Sequence, residues 1–173
     1  MIGHTLMKQT VIPGSLALAL ALTAGPGRAA EDIVRHPIPG SDFPISEAIE
    51  VPAGHATVYL SGFGPAVADP KAEKNTLAAF GDTRTQTAST LASIEAALKR
   101  QNLSLRDVVK MTVFLVGDPA KGGRMDFAGL MDAYRERFGT PSQPNLPVRS
   151  ALQVAALANP GWLVEIEVTA IRP

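Results

Sequence analysis

Val108-Val109-Lys110-Met111-Thr112-Val113-Phe114-Leu115-Val116 is a nearly unbroken run of β-branched and large apolar side chains. It is short for a helix, and such a run reads as a central strand covered on both faces. On its N-terminal side, Thr87, Leu91, Ile94 and Leu98 recur at i, i+4, i+7 and i+11, one stripe of a helix over 83–101. Asp82 is its N-cap and Asn102 its left-handed stop. On the other side, Phe127, Leu130, Met131, Tyr134 and Phe138 form the buried stripe of a second helix over 126–138, ended by Gly139. Further out, 57–61 reads as a strand and 45–51 as a weaker one. Residues 148–157 and 163–171 are the last two strands, joined by the turn Asn159-Pro160-Gly161. Residues 31–44, with four Pro or Gly, read as a loose lead-in or edge strand, and 66–80 and 118–124 as loops.

The predicted order is β-β-α-β-α-β-β. Two helices cover one face of a sheet, so the fold class is α+β with both helices on one side. The other face must be solvated or covered by a partner. The last two strands mix apolar residues with Arg149, Ser150, Gln153, Glu165 and Glu167, as a strand facing an intersubunit cleft would.

The chain has 173 residues, 46% apolar and 18% charged, a globular composition for one domain. Lys plus Arg balance Asp plus Glu at 16 each, which argues against a strongly basic nucleic-acid binder. Without cysteine there is no disulfide, thiolate metal site or cysteine nucleophile, and three histidines leave little for a metal. There is no Gly-x-Ser-x-Gly elbow, phosphate loop or dinucleotide fingerprint. Gly62-Phe63-Gly64 does not open into a helix, His36 and His55 read as turn histidines, and Asn102-Leu103-Ser104 fits capping better than glycosylation.

The N-terminal 29 residues have the layout of a secretory signal peptide: Lys8, an apolar stretch over 11–24, then Gly25, Pro26 and the small residues Gly27, Ala29 and Ala30 around Arg28. Cleavage after Ala29 leaves a faintly acidic domain over 30–173, placed in the periplasm or secreted. The stretch is short of the ~20 residues that span a bilayer, so no membrane anchor is expected after cleavage. Met7-Lys8 is a second candidate start.

Arg149 against Glu165 and Glu167 is the charged constellation of the C-terminal strands, which as adjacent antiparallel strands joined by a short turn would let these residues face each other. An arginine fork holds a carboxylate by two hydrogen bonds. The residues alone allow two readings. One is a structural ion pair. The other is a site where Arg149 clamps a substrate carboxylate and a glutamate handles water or a proton.

The stretches Leu105-Arg106-Asp107-Val108-Val109-Lys110-Met111-Thr112-Val113-Phe114-Leu115, Pro147-Val148-Arg149-Ser150-Ala151-Leu152-Gln153-Val154-Ala155 and Val164-Glu165-Ile166-Glu167-Val168 resemble the signatures of the Rid family, the YjgF-type reactive-intermediate deaminases. Ser61-Gly62 and the helix from Asp126-Phe127 to Tyr134 are similar as well, so the resemblance spans about 43–172. It implies a chorismate-mutase-like α+β fold, a homotrimer ringed around the exposed sheet face, and ligand clefts between subunits. It implies that Arg149 binds the carboxylate of a 2-imino or enamine acid and that Glu165 positions or activates water. Ser61 and Gly62 would line that cleft, with backbone near Ala151. The chain departs from the family at Ile45, where many members have tyrosine, at Met131, where they have asparagine, and at Ala151, where cysteine is frequent. Its loops at 66–80 and 118–124 are also longer. Ile45 and Met131 make the pocket more apolar.

The expected protein is an exported, trimeric hydrolase releasing ammonia from a small imine or enamine that carries a carboxylate. It needs no metal or organic cofactor, because the C=N bond is already electrophilic. The alternatives are a trimer that binds a small ligand without turnover and an interaction or holdase-type protein. Mass spectrometry of protein from the native host should find an N-terminus near Ala30; an intact Met1 or Met7 form would overturn the export reading.

Overall fold

The computed structural model describes residues 32–173. The proposed signal segment lies outside the described residues. Strand β1 (Val34–Pro37) pairs antiparallel with β2 (Ser46–Glu50) in a separate two-stranded sheet. The main sheet has four strands: β3 (Ala56–Phe63), β4 (Val108–Val116), β5 (Val148–Val154) and β6 (Val164–Arg172), in the order β3-β6-β4-β5. A short helix α1 (Leu77–Phe80) precedes α2 (Thr83–Arg100), and α3 (Phe127–Arg135) lies between β4 and β5. Helices α2 and α3 pack on each other and on one face of the sheet, the α+β arrangement expected.

The stripe read from the sequence is the core of α2: Leu91, Ile94, Leu98 and Thr87 are fully buried. Asp82 caps this helix by accepting from the Thr85 N–H, which together with the Thr85 side chain holds its carboxyl below the usual range. Asn102 has φ 56°, the left-handed stop anticipated. Ser104 and Asp107 cap each other around the next turn, which is the capping role inferred for that tripeptide. On α3, Leu130, Met131 and Tyr134 are buried, and Tyr134 stacks on Phe138 with centroids 4.8 Å apart.

The deciding run is β4, with its predicted bounds and in the interior of the sheet. Its coverage differs from the expectation. Met111, Val113 and Leu115 are buried under the helices, while Lys110 is exposed and Thr112, Phe114 and Val116 are only half-buried on the other face. Nothing in the described chain covers that open face. Tyr59, 79% exposed, and Leu152, 41% exposed, are large side chains left uncovered on it.

Strand neighbours also differ from the reading. The turn at 159–161 does not lay β6 against β5. Instead β4, α3 and β5 form a parallel crossover that puts β5 on the outer side of β4. Strand β6 then fills the gap between β3 and β4, antiparallel to both. Strand β1 is the edge strand allowed for in 31–44, whereas α1, a single turn in the 66–80 loop, was missed. Strand β5 ends at Val154 and α3 at Arg135, both earlier than read. No helix among the described residues is long and apolar enough to cross a membrane.

One buried polar residue fixes how β6 enters the sheet. Gln86 is fully buried on α2. Its amide oxygen accepts from Leu163 N–H at 2.7 Å, and its nitrogen donates to Gly161 O at 3.0 Å and Gly81 O at 2.9 Å. Gln86→Leu strands those three backbone groups. At about 1–3 kcal/mol for each buried unpaired group, it should lower the melting temperature by several degrees in calorimetry; an unchanged midpoint would show that the turn is held without it.

Candidate functional site

Arg149 lies on β5 beside Met111 of β4, so its side chain shares the helix-covered face of the sheet. It extends over the aromatic side chains at the α3 end. The guanidinium carbon sits 4.3 Å from the Tyr134 ring centroid, 5.6 Å from that of Phe43 and 5.9 Å from that of Phe127. Phe43 and Phe127 stack on each other at 6.4 Å. Nη2 donates to Met131 Sδ at 3.1 Å, and Nη1 is buried with no partner. No ion pair within the described chain involves Arg149, so it is not paired with Glu165 or Glu167 of its own chain.

Burial lowers the Arg149 pKa below the ordinary value; neighbouring Tyr134 opposes the shift and Arg135 adds to it. The group nonetheless stays cationic at neutral pH. Burial raises the Tyr134 phenol well above its usual value, against the pull of Arg149. The phenol remains neutral and donates to Pro44 O at 2.9 Å. That bond anchors the segment carrying Phe43 and Ile45. Cation–π contacts are worth about 0.5–2 kcal/mol each, but they leave the N–H donors unsatisfied. The half-buried guanidinium keeps one buried donor, Nη1, that an anion could take up.

Ile45 and Arg149 both line a cleft of about 410 Å³, with Ser46, Lys110, Val148 and Ser150 among its other walls. Ala151 lies beside Val113 and packs half-buried on the core.

Glu165 is elsewhere. It pairs with Phe114, and its neighbours Val164 and Ile166 are buried under the helices, so Glu165 points to the open face. Glu167, beside Thr112, faces the same way. Arg149 aligns through Met111 with Val168, three residues along and two strands over from Glu165. Strand rise and spacing then separate the two backbones by roughly 14 Å, with their side chains on opposite faces. The expectation that they face each other from neighbouring strands is corrected: the interposed β4 forbids it. Ser61 and Gly62 fall at a register break in β3, beside β6. Gly62 lies directly beneath Glu165, and a Cβ there would run into its carboxylate. One chain therefore carries two separate candidate half-sites. One is Arg149, Met131, Ile45 and the aromatic rings; the other is Glu165 and Gly62, with Ser61 on the same bulge.

The rings of Phe43, Phe127 and Tyr134 were not foreseen as part of the site. Phe127 and Tyr134 read as ordinary helix-stripe residues, and Phe43 sits in a Pro-rich lead-in with no pattern. Among the described residues no cluster of His, Asp or Glu has the makings of a metal site. His36 instead contacts Glu50 at 2.7 Å and His55 the Arg172 carbonyl at 3.1 Å, surface and turn roles.

An α+β domain thus carries a half-buried arginine with one unpartnered nitrogen on an edge strand. Sequence comparison supplies the family. A family model described as Endoribonuclease L-PSP matches residues 40–172. A RutC family protein of Pyrococcus horikoshii is 34% identical over 129 residues, 75% of this chain and 87% of that one. The Escherichia coli K12 protein named "Putative reactive intermediate deaminase TdcF" is 34% identical over 91 residues, 53% of this chain and 64% of its own. The crystal structure of E. coli TdcF with bound serine superposes with a TM-score of 0.53 at 30% identity, covering 83% of this chain and 99% of that one. The chain belongs to this family, the YjgF or Rid group.

Gly62→Ala tests the second half-site. The colliding atom is the free end of a flexible side chain, so the fold should survive with a melting temperature within a few degrees of wild type while Glu165 is displaced. A crystal structure of the variant with Glu165 unmoved would refute this packing.

Proposed function

We propose that this protein is an exported, oligomeric imine deaminase, in which Arg149 of one subunit and Glu165 of another converge on a small 2-imino or enamine carboxylate. The observation that carries the reading is the buried Arg149 Nη1 without a partner. A charged donor kept dry and unpaired is costly unless a ligand anion completes it. The serine bound to TdcF is a small carboxylate of that kind.

Sharing between subunits follows from the placement of the half-sites on opposite faces, and the uncovered Tyr59 and Leu152 supply apolar surface for association. A trimer around the open face satisfies both. Export rests on the N-terminal sequence alone. The description of the family model suggests RNA cleavage, but a neutral chain and a single caged guanidinium offer little to a phosphate backbone.

The chemistry is short. Arg149 holds the carboxylate and orients the C=N carbon. Glu165 takes a proton from water as the oxygen attacks that carbon, forming a tetrahedral aminoalcohol. The proton on Glu165 passes to nitrogen, the new hydroxyl then gives up its own proton to nitrogen as the C–N bond breaks and C=O forms, and ammonia and the 2-oxo acid leave. The water supplies the oxygen and both hydrogens that the products gain, so no cofactor enters the balance.

The test is ammonia release from freshly generated imino acids, run beside circular-dichroism melts. Arg149→Ala should lower kcat/KM about ten- to a hundred-fold or more, the loss of a charge-assisted contact of about 1.5–3 kcal/mol. Arg149→Lys should also be poor, because an ammonium lacks the planar fork. Glu165→Gln should bind ligand but turn it over slowly. Unchanged turnover in Arg149→Ala would end the assignment. Ligand binding by wild type without ammonia release on any imine would leave a binding protein.

A further inference from the structure

In the free chain the Arg149 guanidinium is enclosed by its own neighbours. Tyr134 lies beneath it, Phe43 and Phe127 stand beside it, and the Met131 sulfur takes Nη2 at 3.1 Å. Nη1 is closed off from solvent. A thioether is a weak, neutral acceptor, whereas a carboxylate forms short charge-assisted bonds with a guanidinium fork. A carboxylate that engages both nitrogens must therefore displace the sulfur. Met131 is suited to that. Its side chain is unbranched with three rotatable bonds, so the sulfur can swing aside while α3 stays in place.

We propose that Met131 is a built-in competitor for Arg149: its sulfur holds the guanidinium in the free protein and yields to the ligand carboxylate. The displaced thioether, with Phe43 and Phe127, then presents an apolar wall to the rest of the ligand. The preferred ligand class is a monocarboxylate with a short apolar side chain. The inference rests on the carboxylate-clamp reading of Arg149.

The competition has a chemical consequence. A hydroperoxide oxidises a thioether by transferring one oxygen: the sulfur lone pair attacks the O–O bond, an S–O bond forms, and water or an alcohol leaves. The sulfoxide oxygen is polar and a much stronger acceptor than sulfur. On Met131 it would hold Arg149 and shut the anion site.

The experiment is titration calorimetry of the intact protein with 2-oxobutanoate, a stable probe of the ligand class. Wild type and Met131→Leu are compared, each before and after hydrogen peroxide, with oxidation at residue 131 of wild type verified by peptide mass. Leucine fills similar space without an acceptor. Met131→Leu should bind about two- to ten-fold tighter, the release of one weak hydrogen bond. Oxidised wild type should bind at least about ten-fold more weakly, a charge-assisted bond now competing, whereas treated Met131→Leu should keep its affinity. Met131→Leu binding no tighter than wild type, with the same secondary structure and oligomer mass, would overturn the proposal. So would unaltered affinity in wild type oxidised at Met131, and that arm decides alone if the leucine variant does not fold. Wild type that binds the probe without any effect at Met131 removes only this inference; absence of binding by both proteins removes the carboxylate clamp as well.

Discussion

A guanidinium is half-buried here and given rings and a sulfur in place of a carboxylate. Arg149 rests on Tyr134 at 4.3 Å with one nitrogen unpartnered, and much of the surrounding structure serves to hold it so. The Tyr134 hydroxyl reaches Pro44 O and ties the lead-in loop to α3, which fixes Phe43 against Phe127. Gln153 works from the same strand as Arg149. Its side chain accepts from Met125 N–H at 2.8 Å and donates to Gly123 O at 3.1 Å, so it pins the loop that delivers Phe127. A purely structural residue in this place would be apolar or paired. The charge is retained with no acidic partner within the described chain, which makes Arg149 a candidate site residue.

The same sheet that carries Arg149 keeps Glu165 away from it. With β4 between β5 and β6, the two side chains leave opposite faces. The half-site at Glu165 looks across the surface that no helix covers, and Gly62 beneath it leaves room for the carboxylate by having no side chain. Two candidate groups that cannot meet within one chain either do not act together or act through a second copy. The exposed Tyr59 and the half-buried Phe114 on that face favour the second copy.

Much of this was legible in the sequence. Helical stripes such as Leu91, Ile94 and Leu98 identify the core because an apolar 3.6-residue repeat places one helix face against other apolar elements. The bounds of β4 were legible for another reason: a short, continuous, β-branched apolar run reads as a strand. The strand order was not. Consecutive strands usually neighbour each other, and nothing local in Asn159-Pro160-Gly161 reveals that β6 will insert between β3 and β4. That choice is made by α3, whose crossover commits β5 to run parallel to β4. Arg149, Glu165, Gly62, Ile45 and Met131 were picked out beforehand, but not their division into two half-sites. Gln86 and Phe43 were invisible as functional parts: one is a polar residue in a helical stripe, the other an isolated aromatic among prolines, and their roles exist only through tertiary contacts.

The claim that the two half-sites are completed by different subunits is tested most directly by complementation. Arg149→Ala and Glu165→Gln chains, each inactive alone, are mixed, dissociated and reassembled, and ammonia release is measured. Shared sites predict that mixed oligomers recover a substantial fraction of wild-type activity, because some interfaces then bring an intact Arg149 to an intact Glu165. Reassembled mixtures that remain as inactive as either parent, with mixed oligomers demonstrated by native mass spectrometry, would contradict the account.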